Sequence, residues 1–476
     1  MKIITDLQIH SKYSRAVSQQ MAIPHIWEWS KRKGIGLVAT GDWTHPLWMR
    51  EIKTNLEEMG SGLLKLKSNQ TEKQCNNGDE GPYFLLATEI SSIYSQGGKL
   101  RRIHNLIWSP SIAIAEKINK ELLGRGANLM SDGRPIVGLT SMEIAELVFS
   151  VDPNCLLIPA HAWTPWFSLY GSESGFDSID ECFGQFAKNI YAIETGLSSD
   201  PAMNWRIKEL DNRTILSFSD AHSGPKLGRE ATVFELPELS YESIRKAIIG
   251  KGTRVQGLGS SEKRKNTEMN NLNPSPYTLY PKISYTIEFY PEEGKYHYTG
   301  HRNCGVKQDP NETKKKGTMC PVCGRKLTVG VMHRVEQLAG RTEDELRIKN
   351  QELQETQLKG IYSDAFPNRP PFVKLVPLQE ILTEAIGGLP TSQKIQDEYN
   401  KLTDYFGGEF KVLLKTAVPE ISKISGTKVP EAIEKVRSGD IYVDPGYDGV
   451  FGKVKIFGEE KKEKVEVQQK EQMSLF

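Results

Sequence analysis

The chain has 476 residues, 38% hydrophobic and 25% charged, which is the composition of a soluble globular protein with room for two or three domains. Its formal net charge of +1 excludes a globally basic nucleic-acid binder, so any attraction to nucleic acid must come from local patches. No apolar run approaches the roughly 20 residues that span a bilayer, the N-terminus has no signal-peptide core, and six cysteines in so long a chain make no disulfide framework; a cytoplasmic setting without a membrane partner is expected.

Residues 1–256 alternate apolar runs with helical stretches, and the alternation predicts a parallel α/β barrel. Helices are expected over 24–33, 111–123, 141–149, 179–187, 201–210 and 241–249. Pro24 and Pro201 suit a first helical turn; Thr140 and Ser240 suit N-caps, with Glu143 and Glu242 close behind. The polar stretch 55–81 lacks periodicity and reads as an excursion over the active face. A linker is expected at 257–282, a zinc-binding module at 283–334, a mainly helical DNA-binding region at 335–457 with helices at 342–358 and 391–405, and a disordered tail at 458–476.

The apolar runs of the first half share one property: each ends in, or just before, a metal-binding residue type. In order these are Gln8 and His10, Asp42 and His45, Glu89, His104, His161, Glu194, and Asp220 with His222. In a barrel of parallel strands such ends meet on one face, where active sites sit. A lone histidine is more often a core or loop residue than a ligand. The collective placement of five of the nine histidines favours metal binding, because buried imidazoles and carboxylates are costly unless paired or ligated. The donor mix is that of Zn²⁺, Mn²⁺ or Fe sites and suits two or three ions; Zn²⁺ is expected, with Mn²⁺ or Mg²⁺ as the alternatives at the active site, and Asp220 and Glu194 as catalytic carboxylates. Lys226 and Arg229 follow directly and either support a phosphate or sit in a solvated turn.

His301-x-x-Cys304, followed by Cys320-Pro321-Val322-Cys323-Gly324, has the spacing of a structural zinc knuckle, with His297 as a rival fourth ligand. Cys75, Cys155 and Cys182 read as isolated thiols. Tyr296, Tyr298, Arg302, Lys307, Lys314, Lys315, Lys316, Arg325 and Lys326 surround the knuckle and suit nucleic-acid contact. Trp163, Trp166, Phe167 and Tyr170 follow His161; they either wall a pocket for an extruded base or cap the barrel.

The N-terminal half resembles the polymerase and histidinol phosphatase (PHP) family, through Asp6-Leu7-Gln8-Ile9-His10, Thr40-Gly41-Asp42-Trp43-Thr44-His45, Glu89, His104, His161 and Asp220-Ala221-His222. That resemblance implies a distorted seven-stranded α/β barrel with a trinuclear metal centre. Gln8 departs from the family's histidine, which leaves three readings: a loosely bound metal, a ligand from elsewhere, or an inactivating substitution. Over almost the whole chain, the sequence is similar to the endonuclease Q family of DNA repair nucleases, on residues 6–16, 41–46, 159–166, 194–200 and the cysteine module. The resemblance implies nicking of DNA by a metal-activated water on the 5′ side of uracil, hypoxanthine, xanthine or an abasic site, leaving 3′-hydroxyl and 5′-phosphate. A small-molecule phosphatase and an impaired lesion-binding protein are the alternatives. The terminal Gln472-Met473-Ser474-Leu475-Phe476 resembles the Gln-Leu-Ser/Asp-Leu-Phe peptide that docks on the bacterial sliding clamp, with Met473 in the Leu position.

Overall fold

The computed structural model describes residues 1–67, 81–250 and 280–458. Residues 257–279 of the expected linker, Cys75, and the clamp-peptide residues Gln472, Met473, Leu475 and Phe476 lie outside the described residues; the last linker position, Lys282, already opens a strand.

The first strands are β1 (Lys2–Asp6), β2 (Leu37–Ala39), β3 (Leu56–Glu58), β4 (Leu64–Leu66), β5 (Tyr83–Gln96) and β6 (Lys99–Ser109). They are followed by β7 (Ile136–Val137), β8 (Leu156–Pro159), β9 (Ala192–Glu194), β10 (Thr214–Leu216), β11 (Ala231–Glu235) and β12 (Lys282–Glu288). β2 lies parallel between β1 and β5 and is buried throughout, which is why it reads as an unbroken apolar run. The uniformly parallel barrel expected from the sequence gives way to a mixed sheet. β5 and β6 are joined through Gly97 (φ 60°) and Gly98 (φ 72°), and so tight a turn leaves only an antiparallel hairpin. β6 continues antiparallel to β8, and β11 antiparallel to β1 and β12. β9 and β10 form a separate parallel pair, tied to β8 by the Ala162 amide on the Glu194 carbonyl (3.0 Å). An Ile9–Ala221 bridge brings the residues following β10 back beside those following β1.

Most of the expected helices form close to their anticipated bounds, among them Ile23–Lys33, Ile112–Gly124, Ser141–Val151 and Tyr241–Ile249. Thr140 and Glu143 make a reciprocal capping box. The helix Ile179–Phe183 is shorter than expected and passes into a 3₁₀ turn, Gly184–Asn189.

In the second half, β13 (Thr299–His301) ends on the first cysteine-module ligand, and the 3₁₀ turn Arg302–Cys304 that carries the second leads into β14 (Val306–Gln308), antiparallel to β13. The helix expected over 342–358 is absent. β15 (Ile348–Glu352) instead pairs antiparallel with β16 (Lys359–Ser363), and both join β12 through β17 (Phe372–Lys374). β15 is exposed along its whole length and rich in Lys, Gln and Glu, so it carries no alternating pattern; pairing at the sheet edge overrides its helical composition. Helices then run from Leu378–Ile386 through Lys428–Ser438. They dock on the first helix through a buried knot. Lys33 Nζ meets Glu409 Oε2 at 2.6 Å, Tyr399 donates to the same carboxylate at 2.7 Å, and the Leu378 amide donates to it at 3.0 Å. Among the described residues, no helix is long and apolar enough to cross a membrane.

Candidate active site

The segments following β2, β8 and β10 each turn through a non-glycine residue in the left-handed region: Asp42 (φ 43°), His161 (φ 30°) and Asp220 (φ 47°). Such a conformation costs about 1 kcal/mol or more and persists where surrounding structure enforces it. Two glycines provide the room. A Cβ on Gly41 would sit 2.6 Å from the Ile9 carbonyl oxygen, and one on Gly196 would sit 2.3 Å from His161 Cβ. Asp6 braces the third turn by accepting from the Ser219 amide (3.0 Å), the Ser219 hydroxyl (2.5 Å) and the Gly228 amide (2.9 Å).

These turns and the β5–β6 hairpin enclose a buried pit. His10, Asp220 and His222 form one three-donor group, and Glu89, His104 and His161 form another; within each, the ligand atoms lie within 4.8 Å of one another. Glu89 and His104 are not at strand ends, as the sequence reading had them. They stand mid-strand on the hairpin, where Ser91 faces His104 and Glu89 faces Leu106. Glu89 lies between the groups: Oε1 is 2.5 Å from His104 Nδ1 and 3.6 Å from His161 Nε2, and Oε2 is 3.3 Å from His10 Nε2. His10 Nε2 is also 3.1 Å from Asp220 Oδ1.

The electrostatics are those of a site short of cations. Burial opposes charge on His10, yet Asp42, Asp220 and Glu89 lift its pKa well above the ordinary value. Burial also pushes Glu194 up to about 8 and His104 down to about 4. Four buried atoms around the pit are left without a well-formed hydrogen bond: Gln8 Oε1 and Glu194 Oε1 have no partner, and His10 Nε2 and Asp220 Oδ1 have only ion-pair contacts. Unpartnered buried polar atoms are expensive in a native interior, and several converging on one pit fit ions there. Imidazole nitrogens with carboxylate oxygens are the donor set of Zn²⁺ or Mn²⁺. Gln8 donates its amide to Glu89 Oε2 at 2.8 Å, leaving its own oxygen free as a neutral ligand.

Other expected site residues fall outside the two groups. Asp42 orients His10 at Nδ1 (2.9 Å), and its other oxygen accepts from the Ser11 amide (2.6 Å), the Ser11 hydroxyl (2.7 Å) and the Ser14 hydroxyl (2.9 Å). His45 stacks on Tyr13 at 4.4 Å. Lys226 turns away to Glu380 (2.8 Å). Arg229 donates to the carbonyls of Ser219 (2.8 Å) and Asp220 (3.3 Å), so it fixes the turn and is not aimed at a phosphate. Trp163 and Tyr170 are fully buried, with Trp163 donating to Asn204 (2.7 Å) and Tyr170 to Glu209 (2.7 Å); they support the wall from behind and cannot receive a base. Trp166 and Phe167 remain half-buried at the rim, Phe167 4.8 Å from the His104 ring and Trp166 edge-on to Tyr296 at 5.4 Å.

One charged residue of the pit escaped the sequence reading. Arg134, just before β7, places Nη1 3.2 Å from Glu89 Oε1. The turn signature Asp132-Gly133-Arg134-Pro135 was available to flag it.

In the cysteine module, His301, Cys304, Cys320 and Cys323 bring their donor atoms within 4.8 Å of one another, which fits a closed four-donor site. His297 stands outside that group, buried beside Tyr298. Desolvation opposes ionisation, but the amides of Cys323 and Val322 and the His301 ring bring the Cys320 thiol down to about 6. Cys155 and Cys182 are free and buried. Several basic residues around the module already have acidic partners: Lys307 with Asp444, Lys314 with Glu336, Lys316 with Glu312 and Lys326 with Glu173.

The lesion-specific endonuclease PfuEndoQ of Pyrococcus furiosus superposes with a TM-score of 0.74, at 30% identity over 98% of both chains. An endonuclease Q bound to a 27-mer duplex with an abasic lesion at its active site gives 0.74 at 31% identity, over 98% of this chain and 99% of that one. The chain belongs to the endonuclease Q family. A family model, the MJ0043 C-terminal domain, matches residues 377–440, the helices that dock on Lys33. MJ0043 of Methanocaldococcus jannaschii is 32% identical over 301 residues, 62% of this chain, and the match spans 31% of that longer protein. YqxK of Bacillus subtilis is 26% identical over 468 residues, 95% of this chain and 99% of that one. The endonuclease Q likeness thus takes in the pit, the cysteine module and the helical region together.

Proposed function

We propose that the chain is a metal-dependent, lesion-specific DNA endonuclease that cuts the phosphodiester 5′ to a deaminated base or an abasic site, leaving 3′-hydroxyl and 5′-phosphate ends. The observation that carries it is the pit of two adjacent three-donor groups with unpartnered buried atoms, in a chain 31% identical throughout to an endonuclease Q with an abasic duplex at its active site. Bound ions would bring a water's pKa towards neutrality and offset charge on the phosphate. The protein supplies the rest. Asp42 holds His10 in one tautomer, Glu89 spans both groups, and the Asp220 turn is clamped by Asp6 and Arg229. Glu194, with its raised pKa and an unpartnered oxygen, would take up or release a proton. Trp166 and Phe167 at the rim suit stacking on an extruded base.

The module of His301 and three cysteines holds structural Zn²⁺ in this reading. The double variant Cys320→Ser/Cys323→Ser loses one zinc by elemental analysis and loosens residues 296–330; unchanged stoichiometry contradicts the assignment. The 472–476 peptide tethers the enzyme to a bacterial sliding clamp, so its deletion abolishes clamp binding in calorimetry and leaves nicking of short duplexes unchanged. A small-molecule phosphatase needs neither the cysteine module nor the helical region. The impaired-binder reading rests on Gln8, whose amide faces Glu89 where the PHP motif has an imidazole. One assay separates these: duplexes with uracil, hypoxanthine, an abasic site or no lesion, with Zn²⁺, Mn²⁺ or Mg²⁺, for wild type and Gln8→His. Lesion-dependent nicking by wild type is expected. Tight lesion binding without nicking, reversed by Gln8→His, supports the impaired binder, and equal cutting of undamaged duplex overturns lesion specificity.

A further inference from the structure

Arg134 stands on a strap that the fold holds against the pit from several sides. The Gly133 amide donates to the Tyr13 carbonyl (3.0 Å), and the Gly133 carbonyl accepts from the Thr44 hydroxyl (3.2 Å). Asp132 turns back to accept from the Arg134 amide (3.1 Å) and is gripped by Arg15 (3.3 Å). Beyond Arg134, the Pro135 carbonyl accepts from the Ser91 amide (3.0 Å), and Ile136 enters the sheet beside Ser91. Position 133 admits only glycine: a Cβ there would lie 2.4 Å from Asp42 Oδ2 and 2.5 Å from Ser14 Oγ. The backbone ahead of Arg134 is therefore pressed directly onto the carboxylate that orients His10.

The strap delivers a guanidinium whose charge is stabilised by Glu89, Asp220 and Asp42 but whose hydrogen-bond donors are mostly uncommitted. Among the described residues, Arg134 makes one side-chain hydrogen bond, from Nη1 to Glu89 Oε1. Its side chain is 25% exposed, so the residue is not sealed behind the pit wall. Glu89 does not depend on this contact, since Gln8, His10 and His104 already surround its two oxygens. The remaining charge over the pit is negative, from Asp42 and Asp220 as well as Glu89, whose carboxyls are all held below their ordinary range. A phosphodiester approaching it meets repulsion unless a cation stands at the entrance. A planar guanidinium with free donors is suited to grip non-bridging phosphate oxygens.

We propose that Arg134 is the substrate-phosphate clamp of this site: it binds a non-bridging oxygen of the scissile phosphate while Gly133 fixes its position. Lys226 and Arg229, read from the sequence either as phosphate supports or as part of a solvated turn, are engaged by Glu380 and by the Ser219 carbonyl. The proposal rests on the phosphodiesterase reading of the pit, and its test separates the two. Binding of inorganic phosphate to metal-reconstituted protein is measured by calorimetry for wild type, Arg134→Gln and Arg134→Lys, with metal content determined on each. Single-turnover nicking of an abasic duplex is measured in parallel. Arg134→Gln is expected to weaken phosphate binding at least about tenfold and slow nicking about 100-fold, the scale of losing one preorganised donor, with metal content unchanged. Arg134→Lys recovers part of the phosphate affinity, and added guanidinium partly rescues the Gln variant. Phosphate affinity unchanged in Arg134→Gln overturns the clamp even if wild type nicks DNA. Arg134-dependent phosphate binding in a wild type that nicks nothing retains the clamp and removes the nuclease reading. Loss of metal together with phosphate affinity in both variants overturns the clamp in favour of a structural role for the Glu89 contact.

Discussion

Two clusters of buried charge in this protein have opposite characters. In the knot beneath the helical region, Lys33, Glu409 and Tyr399 are all but inaccessible, and each polar head has a partner between 2.6 and 3.0 Å. In the pit, Gln8, His10 and Glu194 are as deeply buried and Asp220 is half-buried, yet Gln8 Oε1 and Glu194 Oε1 have no partner and His10 Nε2 and Asp220 Oδ1 have only ion-pair contacts. The knot is finished as folded and joins two parts of the chain. The pit is finished only when something positive enters it. Burial and charge alone do not distinguish a fastening from a functional centre; the inventory of unpartnered atoms does.

The largest expected effect breaks the pit without touching the knot. Asp220→Asn removes a charged ligand at constant size and should lower nicking by about a thousandfold or more, the scale of removing preorganised charge from a dry site, with lesion-duplex affinity held within a few-fold. Wild-type nicking by this variant would remove Asp220 from the centre. The converse variant, Lys33→Met, leaves Glu409 buried without its cation. It should cost about 3–5 kcal/mol in denaturant unfolding, while nicking per folded molecule stays at the wild-type level. A cost near zero would show that the knot does not fasten the helices.

A smaller effect sharpens the contrast through pH. Burial raises Glu288 to about 8 from an ordinary 4.5, and burial together with Glu288 raises Glu230 well above the same value. Both acids bind protons more tightly folded than unfolded, so stability should be fullest below pH 4.5 for this pair and fall as pH rises through 8. Thermal midpoints of Glu288→Gln should fall less steeply over that range than those of wild type. Parallel curves would show that Glu288 is not held neutral.

How far the sequence disclosed all this differs by element. His10, Asp220, His222, Glu89, His104 and His161 were legible because polar residues punctuated apolar runs at places where only paired or ligated groups survive burial. The cysteine module was legible because its spacing admits few other readings. The antiparallel course of β6 was not: a strand buried along most of its length has the same apolar pattern in either direction, and only the Gly97-Gly98 turn carried the information. The β15–β16 hairpin hid for the opposite reason, since a wholly exposed strand has no pattern at all. Trp163 and Tyr170 looked available because proximity in sequence to His161 says nothing about which side of the wall a ring takes. Arg134 was missed because its role depends on Gly133 lying against Asp42, a contact across ninety-one residues in the chain.

The most direct measurement compares nicking of a duplex with one abasic site by the protein as purified, after exhaustive chelation, and after graded return of Zn²⁺ or Mn²⁺. An ion-loaded pit predicts loss of cleavage on chelation, retention of lesion binding, and recovery of a single cut 5′ to the lesion as metal is restored. Cleavage that persists at full rate in metal-free protein, or a cut that fails to return while the ions do, would contradict it.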